Sequence, residues 1–300
     1  EEKIIVPVNG GLLSSKYVNG KMNYNLVTKI YARGVIYAVF EDIPAEKITL
    51  AEDMLITTKS FYFAKAYGYI KDKIYNYRIG TGISTSKDLS DYKLEARAKA
   101  YYVYTYLAEW FEKHGATETC DEILKEIKMQ MLDATASTML QRIKKEKRQW
   151  YVDLALKYCP KEEFIAYLSY LVYGNKHYRE EEFSKIIKSV KLFEAKPRQV
   201  KTIGTFYHRM YNGGIEKVIS QLTDIWDSDG YKVILFTDEE KNEKDYHING
   251  NTIRIVLPRT SKGTFDEYLD RTKVLIDAVK EHGIDIFVYH AWQNLKKLAD

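Results

Sequence analysis

Between two apolar runs, residues 201–207 and 231–237, the chain places Tyr211, Asn212, Gly213, Gly214, Ile215 and Glu216. Behind the glycine pair, Ile215, Val218, Ile219, Leu222, Ile225 and Trp226 recur at helical spacing, and Gly230 follows as a stop. This order predicts a strand, a glycine turn, a helix with an apolar face and a second strand. The alternation continues with a strand over 252–257, a helix over 265–282 and a strand over 285–289, which implies a parallel sheet covered by helices. Gly213 and Gly214 then fall at the carboxyl end of a strand, where open α/β sheets bind ligands through backbone donors. Two readings stand. The pair serves a ligand, phosphate or sugar, or it only supplies positive φ or close packing at a turn. Adjacent glycines are not the spaced dinucleotide fingerprint, and the Walker lysine and hydroxyl are missing.

The 300 residues, 45% hydrophobic and 29% charged, suffice for about two domains with buried cores. No apolar run reaches the roughly 20 residues that span a bilayer, and Glu1 and Glu2 ahead of Ile4, Ile5 and Val6 do not read as a signal peptide. A soluble cytoplasmic protein is expected. Cys120 and Cys159 are far apart and read as buried free thiols. His114, His177, His208, His247, His282 and His290 show no local metal-ligand spacing. A net charge of +4 with interleaved signs does not favour a nucleic-acid partner.

Before this α/β region, residues 1–92 are mixed, with short apolar runs, one helix and a hairpin, and residues from 93 to 198 are helical in pattern. One helix is expected around 100–110, closing at His114 and Gly115, and a long second one from near Thr119 past Trp150. Two shorter helices are punctuated by Pro160 and by Tyr173, Gly174 and Asn175, and residues 195–198 read as a linker. The basic run Arg142, Lys144, Lys145, Lys147, Arg148 beside Trp150 and Tyr151 has two readings, an anionic membrane surface or an ordinary solvated helix face.

In the front segment, Thr49, Leu50, Ala51, Glu52, Asp53, Met54, Leu55 opens a helix. Thr49 and Glu52 fit a capping box, and acids in a first turn suit the helix dipole. A hairpin over 67–70 and 74–78 follows, with Asn76 and Arg78 sharing one face.

The ordered set of Leu26 to Tyr31, the acids Glu52 and Asp53 ahead of Met54 and Leu55, the strand Tyr75, Asn76, Tyr77, Arg78 and the tail Thr81, Gly82, Ile83, Ser84, Thr85 resembles the closing part of a family 2 glycosyltransferase domain of the GT-A fold. Val27 stands where that family often has tryptophan. The resemblance implies that Asp53 is the general base that takes the proton of an attacking acceptor hydroxyl, with Glu52 beside it and Arg78 facing acceptor or phosphate. It also implies a divalent metal, Mg or Mn, for the complete GT-A domain, with its ligands outside this chain.

The strand before Gly213, the glycine pair with Ile215 and Glu216, the following helix and strand, and the run Asp285, Ile286, Phe287, Val288, Tyr289, His290 resemble the start of a family 4 glycosyltransferase of the GT-B fold. That resemblance implies an acceptor-side Rossmann-like domain in which Gly213, Gly214 and Glu216 line a cleft. His290 is a cleft residue there or, on the residues alone, an ordinary hydrogen-bond donor at a strand end.

The expected architecture is thus α/β: a partial GT-A end segment (1–92), an all-helical connector (93–198) and a partial Rossmann-like parallel sheet of GT-B type (199–300). The ends read as cut, as in an excerpt of a longer tandem glycosyltransferase. Its expected partners are a nucleotide sugar, a glycan or lipid-linked acceptor and, through the basic run, the inner face of the membrane. Alone it is expected to transfer no sugar and to bind no metal. The rivals are another Rossmann-like nucleotide-binding enzyme, such as an oxidoreductase, and a noncatalytic helical scaffold.

Overall fold

The computed structural model describes residues 3–5, 24–68, 89–115, 118–141, 143–174, 180–187, 189–191 and 199–290. The chain divides into two compact units, Glu1–Cys159 and Pro160–Asp300. The break falls inside the helical stretch 93–198.

In the first unit, β1 (Lys3–Ile5) pairs antiparallel with β2 (Ala66–Gly68), Lys3 opposite Gly68. Between them in sequence lie a 3-10 turn at Leu26–Thr28, α1 (Arg33–Phe40) and α2 (Glu52–Phe63). The helix α1 was not foreseen from the sequence. The second strand of the expected hairpin, with Asn76 and Arg78, lies outside the described residues.

The capping box expected at Thr49 and Glu52 does not form. The N-cap of α2 is Ala51, in the left-handed region at φ 66, with no side-chain cap. A box places its acid three positions after the N-cap, and Glu52 directly follows this one.

Next come α3 (Asp91–Ala98), α4 (Tyr101–His114), α5 (Glu118–Leu132), a π turn at Asp133–Ser137, α6 (Thr138–Gln141) and α7 (Lys145–Ala155). As expected, α4 stops at Gly115, whose φ of 89 a side chain would disfavour. Val103, Leu107, Trp110 and Phe111 are buried on α4, and Cys120, Ile123, Ile127 and Met131 follow at helical spacing on α5, against which α4 packs. Each such large side chain contributes about 1.5–3 kcal/mol on burial.

The long helix expected from Thr119 past Trp150 is broken. The π turn widens it, and Lys144 is extended at φ −56, ψ 141. The break lets α7 turn back onto α3. There the buried Tyr151 hydroxyl donates to the Thr135 carbonyl of the π turn at 2.6 Å, and Thr135 Oγ1 donates to the Arg97 carbonyl at 3.1 Å. Carbonyls loosened from the helical ladder thereby keep partners.

In the second unit, α8 (Lys161–Ser169) starts just after Pro160 and runs into a π turn at Tyr170–Gly174, followed by α9 (Glu180–Ile187). The α/β part follows the expected order: β3 (Thr202–Phe206), α10 (Gly214–Ser228), β4 (Lys232–Thr237), β5 (Ile253–Val256), α11 (Phe265–His282) and β6 (Ile286–Tyr289). The four strands are all parallel in the order β5-β4-β3-β6.

One face of this sheet is well filled, with Phe206, Ile234, Phe236, Leu257 and Ala278 packed with Val274, Leu275 and Phe287. The helix α11 covers it. Thr264 and Glu267 form a reciprocal capping box at its start, and Gly283 in the left-handed region, at φ 59, ends it. Its outer side meets α8 through Tyr167 and Phe265, with ring centroids 5.6 Å apart, and through Lys280 and Glu162 at 3.3 Å.

The opposite face is thin. Met210, Ile219 and Leu235 form its core. The apolar stripe of α10 faces inward only in part: Ile219 is buried, and Leu222 and Trp226 are half-buried. Ile215, Val218 and Ile225 are 40%, 48% and 54% exposed, whereas Glu216, Ser220 and Thr223 are buried. One polar anchor holds this orientation: Ser220 Oγ donates to the His247 carbonyl at 2.5 Å, while Thr223 Oγ1 is satisfied within the helix by the Ser220 carbonyl at 2.7 Å.

Candidate functional site

Each unit carries one cluster in which the residues singled out from the sequence meet others. In the first unit the cluster forms where the 24–31 segment meets the first turns of α2. The Asn25 side chain accepts from the Val27 N–H at 3.1 Å and closes the 3-10 turn, after which Lys29 is extended. Lys29 Nζ donates to the Asn25 carbonyl at 2.7 Å. Thr57 Oγ1 donates to the Tyr24 carbonyl at 3.0 Å and lies 3.4 Å from the Tyr31 hydroxyl. Asp53 stands one helical turn before Thr57, and its Oδ1 accepts from the Met54 N–H at 2.8 Å.

Asp53 is half-buried, and burial pushes its carboxyl above the ordinary value of 3.8, opposed by hydrogen bonds to backbone N–H groups and by the charge of Lys29. Burial lowers the Lys29 ammonium, with Asp53 opposing, and raises the Tyr31 phenol. A carboxylate whose proton affinity is raised by burial next to a cation suits general-base work. Glu52, the other acid of the pair, points to solvent. Arg78 lies outside the described residues. Lys29, Tyr31 and Thr57 were not assigned roles from the sequence. Their signal is the helical spacing of Asp53 and Thr57 and the short step from Asn25 to Lys29, which only tertiary packing brings together.

A second buried group on α2 was also missed. Lys59 is fully enclosed, its Nζ bonded to the Asp42 carbonyl and 5.0 Å above the Trp110 ring. These partners satisfy the ammonium.

In the second unit the chain steps from β3 to β4 to β5 in one direction and then crosses back to place β6 on the other side of β3. That reversal makes the β3–β6 border a topological switch point, where the carboxyl ends of the strands open a crevice. Phe206 pairs with Tyr289 there. The glycine loop therefore leaves β3, and His290 leaves β6, on the same edge of neighbouring strands.

The glycine pair is not the positive-φ turn of the structural reading. Gly213 is the N-cap of α10 in extended geometry, φ −152 and ψ 166, and the left-handed residue is Asn212 at φ 61. Close packing is what Gly213 provides. A Cβ on it would stand 2.0 Å from Glu216 Oε2, because the buried Glu216 side chain folds over the helix start. Gly214 has open space where a Cβ would lie. Glu216 Oε1 lies 3.5 Å from Arg209 Nε, whose guanidinium carbon is 5.0 Å from the centre of the Tyr211 ring.

The negative group that a helix N-terminus attracts is therefore already present as Glu216. A phosphate at this spot would meet a carboxylate. Beside Glu216 stand the partly exposed Arg209 and Tyr211.

His290 is half-buried with Nε2 unpartnered among the described residues, and burial lowers its pKa below 6.5. Its ring lies 6.4 Å from that of Trp226.

Beyond the carboxyl ends of β4 and β5 stand ion pairs that the sequence did not disclose. Arg271, buried on α11, pairs with Asp238 at 2.8 Å and donates to the Pro258 carbonyl at 2.9 Å. Arg254 binds Asp245 and donates to the Glu239 carbonyl, while Tyr211 donates to Glu239 Oε2 at 2.9 Å. Arg271 could have been found as an arginine within the apolar stripe of Tyr268, Leu269, Thr272 and Ile276. At the opposite, amino edge of the sheet a shallow depression is lined by Lys201, Thr202 and Asp285, but Asp285 Oδ2 already accepts both backbone N–H groups there.

Among the described residues no group of three or more His, Cys, Asp or Glu could hold a metal ion, and no helix is long and apolar enough to cross a membrane. Cys120 and Cys159 are buried thiols outside any disulfide. In the basic run, Lys147 pairs with Asp91 and Tyr151 is buried, so of the two flanking aromatics only Trp150, 42% exposed, reaches the surface. Comparison with protein-family models, curated proteins and solved structures finds no match for this chain.

Proposed function

We propose that the chain belongs to a tandem glycosyltransferase in which the first unit contributes the base side of a GT-A-type site and the second the acceptor-side sheet of a GT-B-type site. The observation that carries this reading is Asp53, a half-buried carboxylate of raised proton affinity set among Lys29, Tyr31 and Thr57. As the acceptor oxygen bonds to the anomeric carbon, its proton passes to Asp53, and the bond to the nucleoside diphosphate breaks with the electron pair leaving on phosphate. The crevice at the β3–β6 border, with a resident carboxylate at the helix start, fits a sugar hydroxyl better than a nucleotide phosphate.

The donor in this reading is a nucleotide sugar and the acceptor a glycan or lipid-linked glycan at the cytoplasmic membrane face, in surface polysaccharide synthesis. Ligand-observed NMR on protein expressed from the complete reading frame tests it. Saturation transfer to UDP or GDP is expected, and a signal with NADH alone would contradict the proposal in favour of an oxidoreductase. The chain by itself is expected to transfer no sugar. A second reading, a noncatalytic interaction module, draws on the outward apolar stripe of α10. It predicts no binding of any nucleotide in the same experiment.

A further inference from the structure

Parallel strands are ordinarily joined through a helix. The connection from β4 to β5 has none: residues 238–252 form neither helix nor strand. Long loops of this kind commonly serve a site, and without a ladder of their own they depend on side chains to fix them. Arg254, in β5, does so here. Its Nε donates to Thr237 Oγ1 at 3.0 Å, its Nη2 to the Glu239 carbonyl at 2.8 Å, and its Nη1 to Asp245 Oδ2. With side chains 14% and 5% exposed, Arg254 and Asp245 form a nearly enclosed, charge-assisted pair. All three guanidinium nitrogens are engaged within the protein, one near the start of the loop and one at its middle.

Both places that Arg254 holds also grip the glycine loop that leaves β3. At the first, the Glu239 carboxylate accepts from the Tyr211 hydroxyl at 2.9 Å, and the neighbouring Asp238 N–H donates to the His208 carbonyl at 3.1 Å. At the second, Tyr246, next to Asp245, donates its N–H to the carbonyl of the fully buried Met210 at 2.8 Å. Ile248 packs on the same small core as Met210. His208, Met210 and Tyr211 are therefore held from the β4–β5 loop just ahead of Asn212, the left-handed residue at φ 61, and of Gly213, the N-cap of α10.

We propose that Arg254 is a positioning residue for the glycine loop: acting through Glu239 and Asp245, its three-way bond fixes Tyr211 and Met210, and with them the backbone that a ligand in the crevice meets. The use of that order for holding an acceptor rests on the reading of the crevice as an acceptor site, whereas the mechanical relation does not.

Amide exchange in the 300-residue chain reads the two grips separately, the Asp238 N–H reporting the first and the Tyr246 N–H the second. Arg254→Met keeps the aliphatic stem and removes the fork. It is expected to quicken both reporters by at least about tenfold, while Ile276 and Ala278, buried in α11, keep the parent rates. Two unmoved reporters overturn the proposal. So does quickening by the same factor in α11, which is a general loss of stability and not a positioning effect. Should Arg254→Met fail to fold, Arg254→Lys keeps the charge and a long stem but not the planar fork. At least one reporter must then quicken, and two unmoved reporters overturn the proposal equally. In protein expressed from the complete reading frame, Arg254→Met raises KM for the acceptor and keeps nucleotide-sugar affinity. Failure of the acceptor-site reading alone would appear differently, as quickened reporters with an unchanged KM for the acceptor.

Discussion

Gly213 and Glu216 are fitted to each other: the Glu216 carboxylate folds over the N-cap of α10 so closely that a Cβ on Gly213 would lie 2.0 Å from its Oε2. The glycine thus makes room for a resident anion. Gly213→Ala is expected to displace Glu216 and to cost about 1–3 kcal/mol, as overpacking commonly does. In a Glu216→Ala background the same change should cost less, with a coupling of at least about 0.5 kcal/mol. Urea unfolding of the four proteins gives the number, and strict additivity would show that the two residues do not share the space.

The helix α10 buries Ile219 but leaves Ile215, Val218 and Ile225 exposed, so substitutions along its apolar stripe should differ widely in weight. Ile219→Ala, at a fully buried position, is expected to lose about 2–4 kcal/mol. Ile225→Ala, 54% exposed, should change stability by less than about 0.5 kcal/mol. Thermal or urea melts compare them directly.

Tyr151 is fully buried, and its hydroxyl serves the π turn through the Thr135 carbonyl. Tyr151→Phe removes that bond while keeping the ring, and should cost about 1–3 kcal/mol because a buried carbonyl loses its partner. Amide exchange should quicken around residues 133–138.

Asp53 carries a pH signature. Its folded-state pKa lies above the ordinary 3.8, so the folded chain holds the proton more tightly than the unfolded chain. Stability from this group is present below 3.8 and is lost as pH rises through the folded value. Asp53→Asn removes the dependence. The variant should therefore gain stability over the parent at neutral pH, with the difference fading as pH falls below 3.8. Melting both proteins across that range checks the sign, and a difference that grows toward acid would contradict it.

Where local spacing and tertiary packing agree, the sequence is informative. The bounds of α11 and the stop of α4 at Gly115 follow from apolar periodicity and glycine placement. The four parallel strands follow from apolar runs set between helical patterns. Periodicity misled at α10, because it registers apolar residues but not which side the rest of the molecule covers. Ser220, bonded to the His247 carbonyl, and the buried Thr223, satisfied within the helix, sit on the covered side. The helix from Thr119 failed as a single element because the π turn and Lys144 are decided by contacts with α3 and Tyr151, remote in sequence.

Among the site residues, the strand ends placed Gly213 and His290 on a common edge, since strand order carries that information. What Glu216 does there was not legible. Its buried, folded-back conformation depends on Arg209 and on the absence of a side chain at Gly213. The surroundings of Asp53 were equally hidden, because Tyr31 reaches Thr57, on the helix of Asp53, from 26 positions away in the chain.

The central claim is that Asp53 accepts the acceptor proton, and single-turnover transfer from a radiolabelled nucleotide sugar tests it most directly. With protein expressed from the complete reading frame, Asp53→Asn is predicted to slow transfer by about 10²- to 10⁴-fold while nucleotide-sugar affinity is retained. Transfer by the variant at the parent rate would contradict the account.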